Sequence, residues 1–279
     1  MIHAVAEPSH RVATIVGKAA ERGTESISAI GRAVMLLTSV FLHVVDGVSH
    51  WRLAVTELFD QTWHLFKVAA LPAVLTAIPF GAVVSVQVGS IVSQVGAGSL
   101  AGAASGMGII RQGAPLASGL LLGGAAAAAI AADLGARSIR EELDALRVIG
   151  VDPVQRLVTP RMLALLLVAP ALLFIIITIG VGSSYVTAVY VSDVSPGGFW
   201  QSFGAFAGIT DIVYALVKVE VAAVVVGTVA SMRGMEATGG PRGVADAVNQ
   251  AVILSVVVII LLTLAVTQVQ TMFSPIQVA

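Results

Sequence analysis

Isolated charges inside apolar sequence are the first residues in this chain that could do chemistry. Arg111, Lys218 and Glu220 each stand in or beside a long uncharged stretch. A charged side chain at bilayer depth is costly, and it normally faces a cavity or a protein partner. Lys218 and Glu220 lie about 200° apart on a helix, so they need different partners. We expect Lys218 to meet a carboxylate, a lipid headgroup or a helix end, and Glu220 to reach Arg111 or a neighbouring subunit. A purely structural ion pair is the alternative.

The second candidate is a charged segment at residues 133–161, which reads DLGARSIREELDALRVIGVDPVQRLVTPR. Apolar residues three or four apart predict a helix over Arg137–Gly150 with one apolar stripe. Gly150 followed by Pro153 is a typical helix stop. The stripe consists of Ile139, Leu143, Leu146 and Ile149.

Opposite charges four residues apart in this segment predict ion pairs on the other helix faces. The expected pairs are Arg137 with Glu141 and Arg140 with Asp144. Two interpretations of the helix stay open at this point. It is either a docking element for a partner protein or a solvated loop between two spans.

Several classes of protein are excluded by residues that the sequence lacks. It has no cysteine, no HExxH sequence and no cluster with metal-ligand spacing. It has no GxxxxGKS/T phosphate loop, so it does not hydrolyse ATP by that mechanism. All 5 histidines precede residue 68, which leaves no base at bilayer depth for a membrane serine protease. A net charge of -1 gives no sign of nucleic-acid binding.

Composition identifies the elements that must position the candidate residues. The chain has 279 residues and is 57% hydrophobic and 11% charged, whereas soluble domains are about 25% charged. Uncharged runs of about 20 residues cross a bilayer as helices. We predict an all-α polytopic membrane protein with five transmembrane helices at about 68–92, 112–132, 162–192, 212–232 and 247–273.

The distribution of basic residues predicts the orientation of these spans. Thirteen of the fifteen Lys and Arg fall in segments 1–67, 133–161 and 233–246. The positive-inside rule places all three segments in the cytoplasm, which gives an N-in/C-out topology. The outer segments are then about 93–110, 193–211 and the tail after 273. The glycine-rich run 96–108 lies outside under this topology, and no strand precedes it, so we expect no nucleotide site there.

Residues 1–67 are predicted to form amphipathic helices on the membrane surface. Apolar residues recur at helical spacing between Val12 and Ile30, and again between Trp51 and Phe66. A cytosolic helical cap is the alternative. No cleavable signal is apparent, so we expect the first span to act as an uncleaved insertion signal. Aromatic residues that suit the membrane interfaces are Trp51, Trp63, Tyr190, Phe199 and Trp200.

Small residues at four-residue spacing predict close helix packing. One set precedes the second predicted span and another lies within it. These are Gly98, Gly102 and Gly106, followed by Gly119 and Gly123.

Three segments of this sequence resemble the MlaE/YrbE permease family. The central one, EELDALRVIGVDPVQRLVTPR, is close to that family's signature around the loop between its second and third spans. The upstream IIRQGAPLASGLLLGGAAAAAIAADLG and the C-terminal GGPRGVADAVNQAVILS are also similar to it. The resemblance covers about residues 65–272, and it is greatest to the Mce-associated (YrbE-type) branch. It implies a permease domain over 68–279.

The resemblance implies a subunit of an ATP-driven lipid transporter for phospholipid, fatty acid or sterol, in the bacterial cytoplasmic (inner) membrane. ATP and Mg would bind to a separate ATPase, present in two copies, and this chain would hold no cofactor. A homologous permease would form a hetero- or homodimer with it, and MCE-domain proteins would sit on the outer face. The segment at 137–150 would be the cytoplasmic coupling helix. The implied ATPase-coupling residues are Arg140, Glu141, Glu142, Asp144, Leu146, Arg147, Gly150, Asp152 and Pro153.

The chain departs from the family at two positions. Gln112 and Ala125 stand where many relatives carry Glu and Arg. Two charges are lost together, as expected for a compensating pair. We expect Arg111, Gln112, Lys218 and Glu220 to line the substrate path or its gate.

Two other functions are consistent with the composition. One is an ion- or proton-coupled secondary transporter that uses Arg111, Lys218 and Glu220 as its relay. The other is a membrane scaffold that transports nothing. Neither requires the coupling helix at 137–150.

Overall fold

The computed structural model describes residues 28–29, 31–44, 55–94 and 96–273. Within these residues every regular element is a helix, and five helices are long and apolar enough to cross a membrane. The predicted all-α class and the number of spans are therefore confirmed. The amphipathic stretch that begins at Val12 and the interfacial Trp51 lie outside the described residues.

Eight helices longer than one turn make up most of the described part of the chain, and a single 3-10 turn at Gly98–Leu100 precedes the third. Five of them, α2, α3, α5, α7 and α8, are the candidate spans. The helices are α1 (Gly31–Val44), α2 (Val55–Gln94), α3 (Ala101–Ile139), α4 (Glu142–Val148), α5 (Val154–Val191), α6 (Pro196–Phe206), α7 (Ile209–Met235) and α8 (Pro241–Phe273).

The spans alternate in direction, so the short helices lie at opposite ends of the bundle. The α4 end carries α4 and the turn between α7 and α8. The α6 end carries α6 and the turn between α2 and α3. The α4 end is rich in charge, which agrees with the expected clustering of basic residues. The N-in/C-out orientation stays a prediction.

The first span begins earlier than its apolar run. Its helix starts at Val55 rather than near residue 68, so part of the stretch expected to lie on the surface is the first section of α2. Charged residues such as Asp60 and Lys67 ended the uncharged run in the sequence. They do not end the helix, because its backbone N–H and C=O groups are hydrogen-bonded to one another both inside and outside the membrane.

The second span also begins earlier than predicted. Residues 96–108 were expected in an outer loop, but α3 is helical from Ala101. A methyl group added at Gly102 would lie 2.0 Å from the Phe199 carbonyl oxygen, and one at Gly106 would lie 2.4 Å from the Phe203 ring. The glycines therefore allow α6 to pack directly on α3. The loop-like composition reflects this close approach, not an absence of structure.

The most extensive contact between helices joins α2 and α5. At its centre Gly81 faces Gly180, where an added methyl group would lie 2.1 Å from the Gly180 carbonyl oxygen. Ser85 Oγ donates to the Ser184 carbonyl oxygen at 2.9 Å, and Ser183 Oγ donates to that of Ile78 at 2.7 Å. Small residues and serine hydroxyls thus hold the two spans together, as is usual inside membranes.

Helix α3 packs on α8 through Gly119 and Gly123, where an added methyl group would lie 2.8 Å from the Ile259 side chain. The close packing predicted for these two glycines and for Gly102 and Gly106 is confirmed. Gly98 has nothing within 4 Å of an added methyl group, so no close approach requires a glycine there.

Apolar side chains cover the outer faces of the first and last spans. Leu71, Leu75 and Ile91 on α2 and Leu261 and Leu264 on α8 are exposed. Such faces are compatible with lipid tails or with another membrane protein.

Candidate functional site

A buried polar cluster lies at the α6 end, between α3, α7 and α8. Arg111 Nε lies 2.8 Å from Asp211 Oδ1, and Arg111 Nη2 donates to Asp211 Oδ2 at 3.2 Å. The Asp211 carboxylate also accepts from the backbone N–H of Gly208 at 3.3 Å, so it caps the first turn of α7. The ion pair thus holds α3 to the beginning of α7.

Lys218 is 1% exposed, and its hydrogen bonds to described residues go to neutral acceptors. Its Nζ donates to the Arg111 carbonyl oxygen at 2.7 Å and to Gln270 Oε1 at 2.9 Å. The Gln270 amide in turn donates to Asp211 Oδ1 at 3.3 Å. A carboxylate, a lipid headgroup or a helix end was expected for Lys218, whereas the structure pairs it with a carbonyl inside a helix and with a side-chain amide. The nearby carboxylate is already paired with Arg111.

The acceptor of Lys218 follows from the local sequence of α3. Arg111 lies in a π-helical segment, Gly108–Gly113, and the residue four positions later is Pro115. Proline has no N–H, so it cannot donate to the Arg111 carbonyl as a helical residue normally would. The Lys218 ammonium provides this carbonyl oxygen with a side-chain donor. An unpaired carbonyl at this depth would cost free energy.

The remaining two path candidates lie at the edges of this cluster. Gln112 Oε1 accepts from Thr267 Oγ1 at 3.0 Å, which links α3 to α8. Glu220 is half-buried beside the exposed Val217 and Val221. The expected contact between Glu220 and Arg111 is wrong, because the two lie on different sides of α7 and Arg111 pairs with Asp211.

Two members of the cluster were missed in the sequence. Asp211 is one of the few isolated charges, but it was assigned to an outer loop because the fourth span was expected to start at 212. Gln270 carries no charge, so a search for charged residues passes over it. A signal was nevertheless present, since Thr263, Thr267 and Gln270 lie three or four residues apart and so share one face of the helix.

The second candidate region is the α4 end, where the predicted single helix over 137–150 is in fact two. Helix α3 ends at Ile139, and α4 starts at Glu142 after a turn in which Glu141 has φ 58°. The left-handed residue redirects the chain. The predicted pairs of Arg137 with Glu141 and Arg140 with Asp144 are wrong, since they assumed an unbroken helix.

The break allows a different set of ion pairs. The Glu142 carboxylate lies 2.8 Å from Arg140 Nε through Oε1 and 3.5 Å from Arg137 Nη1 through Oε2. Arg147 Nη1 lies 2.7 Å from Asp144 within α4. Acidic residues in the first turn and Arg147 in the last also match the helix dipole.

The apolar stripe of α4 is only partly buried. Leu143 is buried and Leu146 packs partly against the core. Ile149, which was expected to continue the stripe, is 72% exposed, and its neighbour Val148 is 86% exposed. One end of α4 therefore anchors the helix, and the other presents apolar and charged side chains outward.

The exit from α4 is confirmed as a helix stop at Gly150, which has φ 78°. The Val151 N–H donates to the Leu146 carbonyl oxygen at 2.9 Å and the Gly150 N–H to that of Arg147 at 3.1 Å, which is a Schellman motif. The Asp152 carboxylate then accepts from the Val154 N–H at 2.9 Å and starts α5.

Arg161 and Asp133 form a further ion pair that the sequence did not single out. Arg161 is 2% exposed, and it donates to Asp133 and to the Leu157 carbonyl oxygen. Arg137 Nε reaches the other oxygen of Asp133 at 3.2 Å. These three residues line a cavity of about 400 Å³ together with Asp60, Gln61, His64, Leu65, Ala129 and Ile130.

Helix α1 crosses the same end of the bundle. It buries Leu36 and Val40 in the core. Arg32 Nε lies 3.0 Å from Glu236 in the turn between α7 and α8, and His43 Nε2 lies 3.5 Å from Asp152 after α4. The helix therefore joins two turns that are far apart in the sequence.

Comparisons with known proteins agree on the kind of membrane protein. Residues 58–269 match the family described as Permease MlaE. The chain is 28% identical over 218 residues to the Protein TRIGALACTOSYLDIACYLGLYCEROL 1 of Arabidopsis thaliana, a match that covers 78% of this chain and 61% of the plant protein. This chain therefore spans less than two thirds of that relative's length.

Two bacterial relatives match over most of their own length. A probable ABC transporter permease protein of Synechocystis is 28% identical over 227 residues, which covers 81% of this chain and 85% of that protein. The intermembrane phospholipid transport system permease protein MlaE of Haemophilus influenzae is 25% identical over 234 residues, which covers 83% and 88%. Since the family match takes in most of the chain and all five spans, the chain belongs to the MlaE permease family.

Proposed function

We propose that this chain is the membrane subunit of an ATP-driven lipid transporter and that a separate ATPase docks on α4. The observation that carries the proposal is the exposed surface of α4, where Val148 and Ile149 stand beside the paired Asp144 and Arg147. A short helix between two spans with apolar and charged groups facing out is suited to a protein partner. Membership of the MlaE permease family supports the same role.

The transported molecule in this proposal is an amphipathic lipid, such as a phospholipid, fatty acid or sterol. A relative of this chain is named for phospholipid transport between membranes. The apolar outer faces of α2 and α8 suit acyl chains, and the polar cluster around Arg111 and Gln112 suits a headgroup near the α6 end. The chain's own part is to open and close a path, without covalent chemistry.

The proposed orientation puts the α4 end in the cytoplasm of a bacterial cell and the α6 end outside the inner membrane. Two ATPase subunits would then meet two permeases, either two copies of this chain or this chain and a homologue. MCE-domain proteins would receive or deliver the lipid at the α6 end. The clustering of basic residues near α4 supports this orientation.

A secondary transporter with a relay of Arg111, Lys218 and Glu220 receives no support from the geometry. Arg111 is paired with Asp211, and Lys218 donates to neutral oxygens. Glu220 has no hydrogen bond or ion pair with any residue that the structure describes. A relay needs all its members within reach of one another, and within the described residues Glu220 has no contact of this kind with the cluster that holds Arg111 and Lys218.

The docking role of α4 is tested by the substitution Val148→Arg. The side chain is 86% exposed and lies at the end of the helix where a cation is favourable, so we expect the fold to be unaffected. A charge placed in an apolar contact should weaken ATPase binding about tenfold or more, which copurification of a tagged chain with the coexpressed ATPase would measure.

The matched control is Ile209→Arg, which changes a side chain of 82% exposure at the α6 end. We expect this variant to retain the ATPase fully. If Val148→Arg copurifies with as much ATPase as the control does, α4 is not the docking element.

A further inference from the structure

Helix α4 is joined to the spans through two turns with left-handed residues. The turn from α3 passes through Glu141 with φ 58°, and the turn to α5 passes through Gly150 with φ 78°. Neither turn is part of a helix, so the chain itself transmits movement of α4 poorly. Rigid transmission needs side chains that pass around these joints.

A continuous row of ion pairs passes around them. Glu142 at the start of α4 meets Arg137 at 3.5 Å, and Arg137 meets Asp133 at 3.2 Å, one turn further into α3. Asp133 then meets Arg161 on α5. Three helices are thus joined through alternating charges, and no residue of the row lies in either turn.

The burial along the row is uneven, and the difference indicates where it is anchored. Arg161 is almost completely buried, and Asp133 is its only ion-pair partner within the described residues. The side chains of Arg137 and Glu142 are about one third and two fifths exposed. The end on α5 is therefore held firmly, because a buried guanidinium cannot give up its counter-charge cheaply. The end on α4 is the more exposed of the two.

The cavity beside the row gives these side chains room to move. Its volume is about 400 Å³, and Asp133, Arg137 and Arg161 lie along one wall. Asp60 on α2 also lines it but makes no ion pair with a described residue. On the side that faces the cavity, the row is therefore not in contact with other side chains.

We propose that Arg137 and Asp133 are positioning residues that transmit displacement of α4 to α5, around the two turns. This rests on the proposed docking of an ATPase on α4. Without the row, an ATPase would still bind α4 and hydrolyse ATP, but the displacement of α4 would not reach α5. The expected defect is a loss of coupling and not a loss of assembly.

The test uses the complete permease–ATPase complex in proteoliposomes of phosphatidylethanolamine and phosphatidylglycerol, with fluorescent phosphatidylethanolamine as the transported probe. The variant is Arg137→Gln, which removes the link to Glu142 and leaves Asp133 with Arg161. We expect ATPase binding to be retained, hydrolysis to stay within about twofold of the wild type, and the lipid transferred per ATP to fall about tenfold. The ratio of transfer to hydrolysis is the readout that a merely structural role would not change.

Arg156→Gln is the matched control, since it removes an exposed arginine at the same end that has no ion pair with a described residue. Asp133→Asn breaks the row at its centre and should reproduce the low ratio, with reduced thermal stability because Arg161 loses its partner. A wild-type ratio in Arg137→Gln overturns the inference. Loss of ATPase binding in that variant also overturns it, because Arg137 would then act in docking.

Failure of the proposed function is distinguishable from failure of this inference. If the wild-type complex binds the ATPase but moves no lipid upon ATP addition, the proposed function is wrong. If the wild-type complex moves lipid and Arg137→Gln moves it with the same efficiency, only the row of ion pairs is wrong.

Discussion

At the scale of residues, Lys218 shows how one proline determines the environment of a distant side chain. Pro115 has no N–H to donate to the Arg111 carbonyl in the α-helical register, and the Lys218 ammonium donates to that oxygen at 2.7 Å. This gives the buried lysine a structural role beside any role in transport. It also brings α7 into register with α3 at the depth of the Arg111–Asp211 pair.

The substitution Lys218→Met should destabilise the protein by about 1–3 kcal/mol, because it leaves a buried carbonyl oxygen without a donor. In a Pro115→Ala background the new N–H can donate to that oxygen, so the same substitution should cost less. Thermal unfolding of the wild type, the two single variants and the double variant in detergent measures both effects. Equal losses in the two backgrounds would contradict this account of Lys218.

The sequence predicted the candidate charges of the buried cluster but not their partners. Arg111 and Lys218 stand out because charge is rare in apolar sequence. Asp211 did not stand out in this way. It lies in the first turn of α7, and the sequence there does not distinguish the start of a span from the end of a loop. Gln270 joins the cluster from a helix far along the chain, and only the packing of α8 against α7 brings it there.

At the scale of elements, the α2–α5 contact depends on the absence of side chains at its centre. Gly81 and Gly180 let the two backbones approach closely, and the flanking serines donate to carbonyl oxygens across the contact. An element that packs in this way tolerates little added volume.

The substitution Gly81→Ala should destabilise the protein by about 1–3 kcal/mol, because the added methyl group would overlap the Gly180 carbonyl oxygen. Gly182→Ala is the control, since a methyl group at that position meets nothing within 4 Å. That variant should match or slightly exceed the wild type, because alanine favours a helix over glycine. Thermal unfolding in detergent compares the two, and a similar midpoint for both would refute the close contact.

Element types were more predictable than element boundaries. The long apolar runs gave all five spans their correct order, because burying about 20 apolar residues in a bilayer outweighs local preferences. The start of α3 was missed because its glycines resemble a loop until α6 is packed on them. The break before α4 was missed because helical periodicity in 137–150 continues through Arg140 and Glu141 without a proline or glycine.

At the scale of the whole molecule, charge and apolar surface are separated along the bundle. Ion pairs concentrate at the α4 end, where α1, α4 and the turn after α7 meet. The outer faces of α2 and α8 carry exposed aliphatic side chains along their length. In the described part of the chain, the buried charged cluster around Arg111 interrupts this arrangement near the α6 end.

Topology can be tested directly because the chain has no cysteine. Single cysteines placed at Val148 and Ile209 lie at opposite ends of the bundle, and both positions are highly exposed. We expect a membrane-impermeant maleimide to label Ile209→Cys in intact spheroplasts and Val148→Cys only after the membrane is opened. The reverse pattern would place the N-terminus outside and remove the proposed ATPase site from the cytoplasm.

The two turns around α4 have a consequence for how such permeases can diversify. The helix is only seven residues long, it carries its own acidic first turn and Schellman exit, and a left-handed residue stands at each junction. Its sequence can therefore be exchanged as a cassette while the spans keep their packing. A chimaera that receives residues 142–148 of another permease should acquire that permease's choice of ATPase and keep its own lipid, so partner choice and cargo choice can evolve independently.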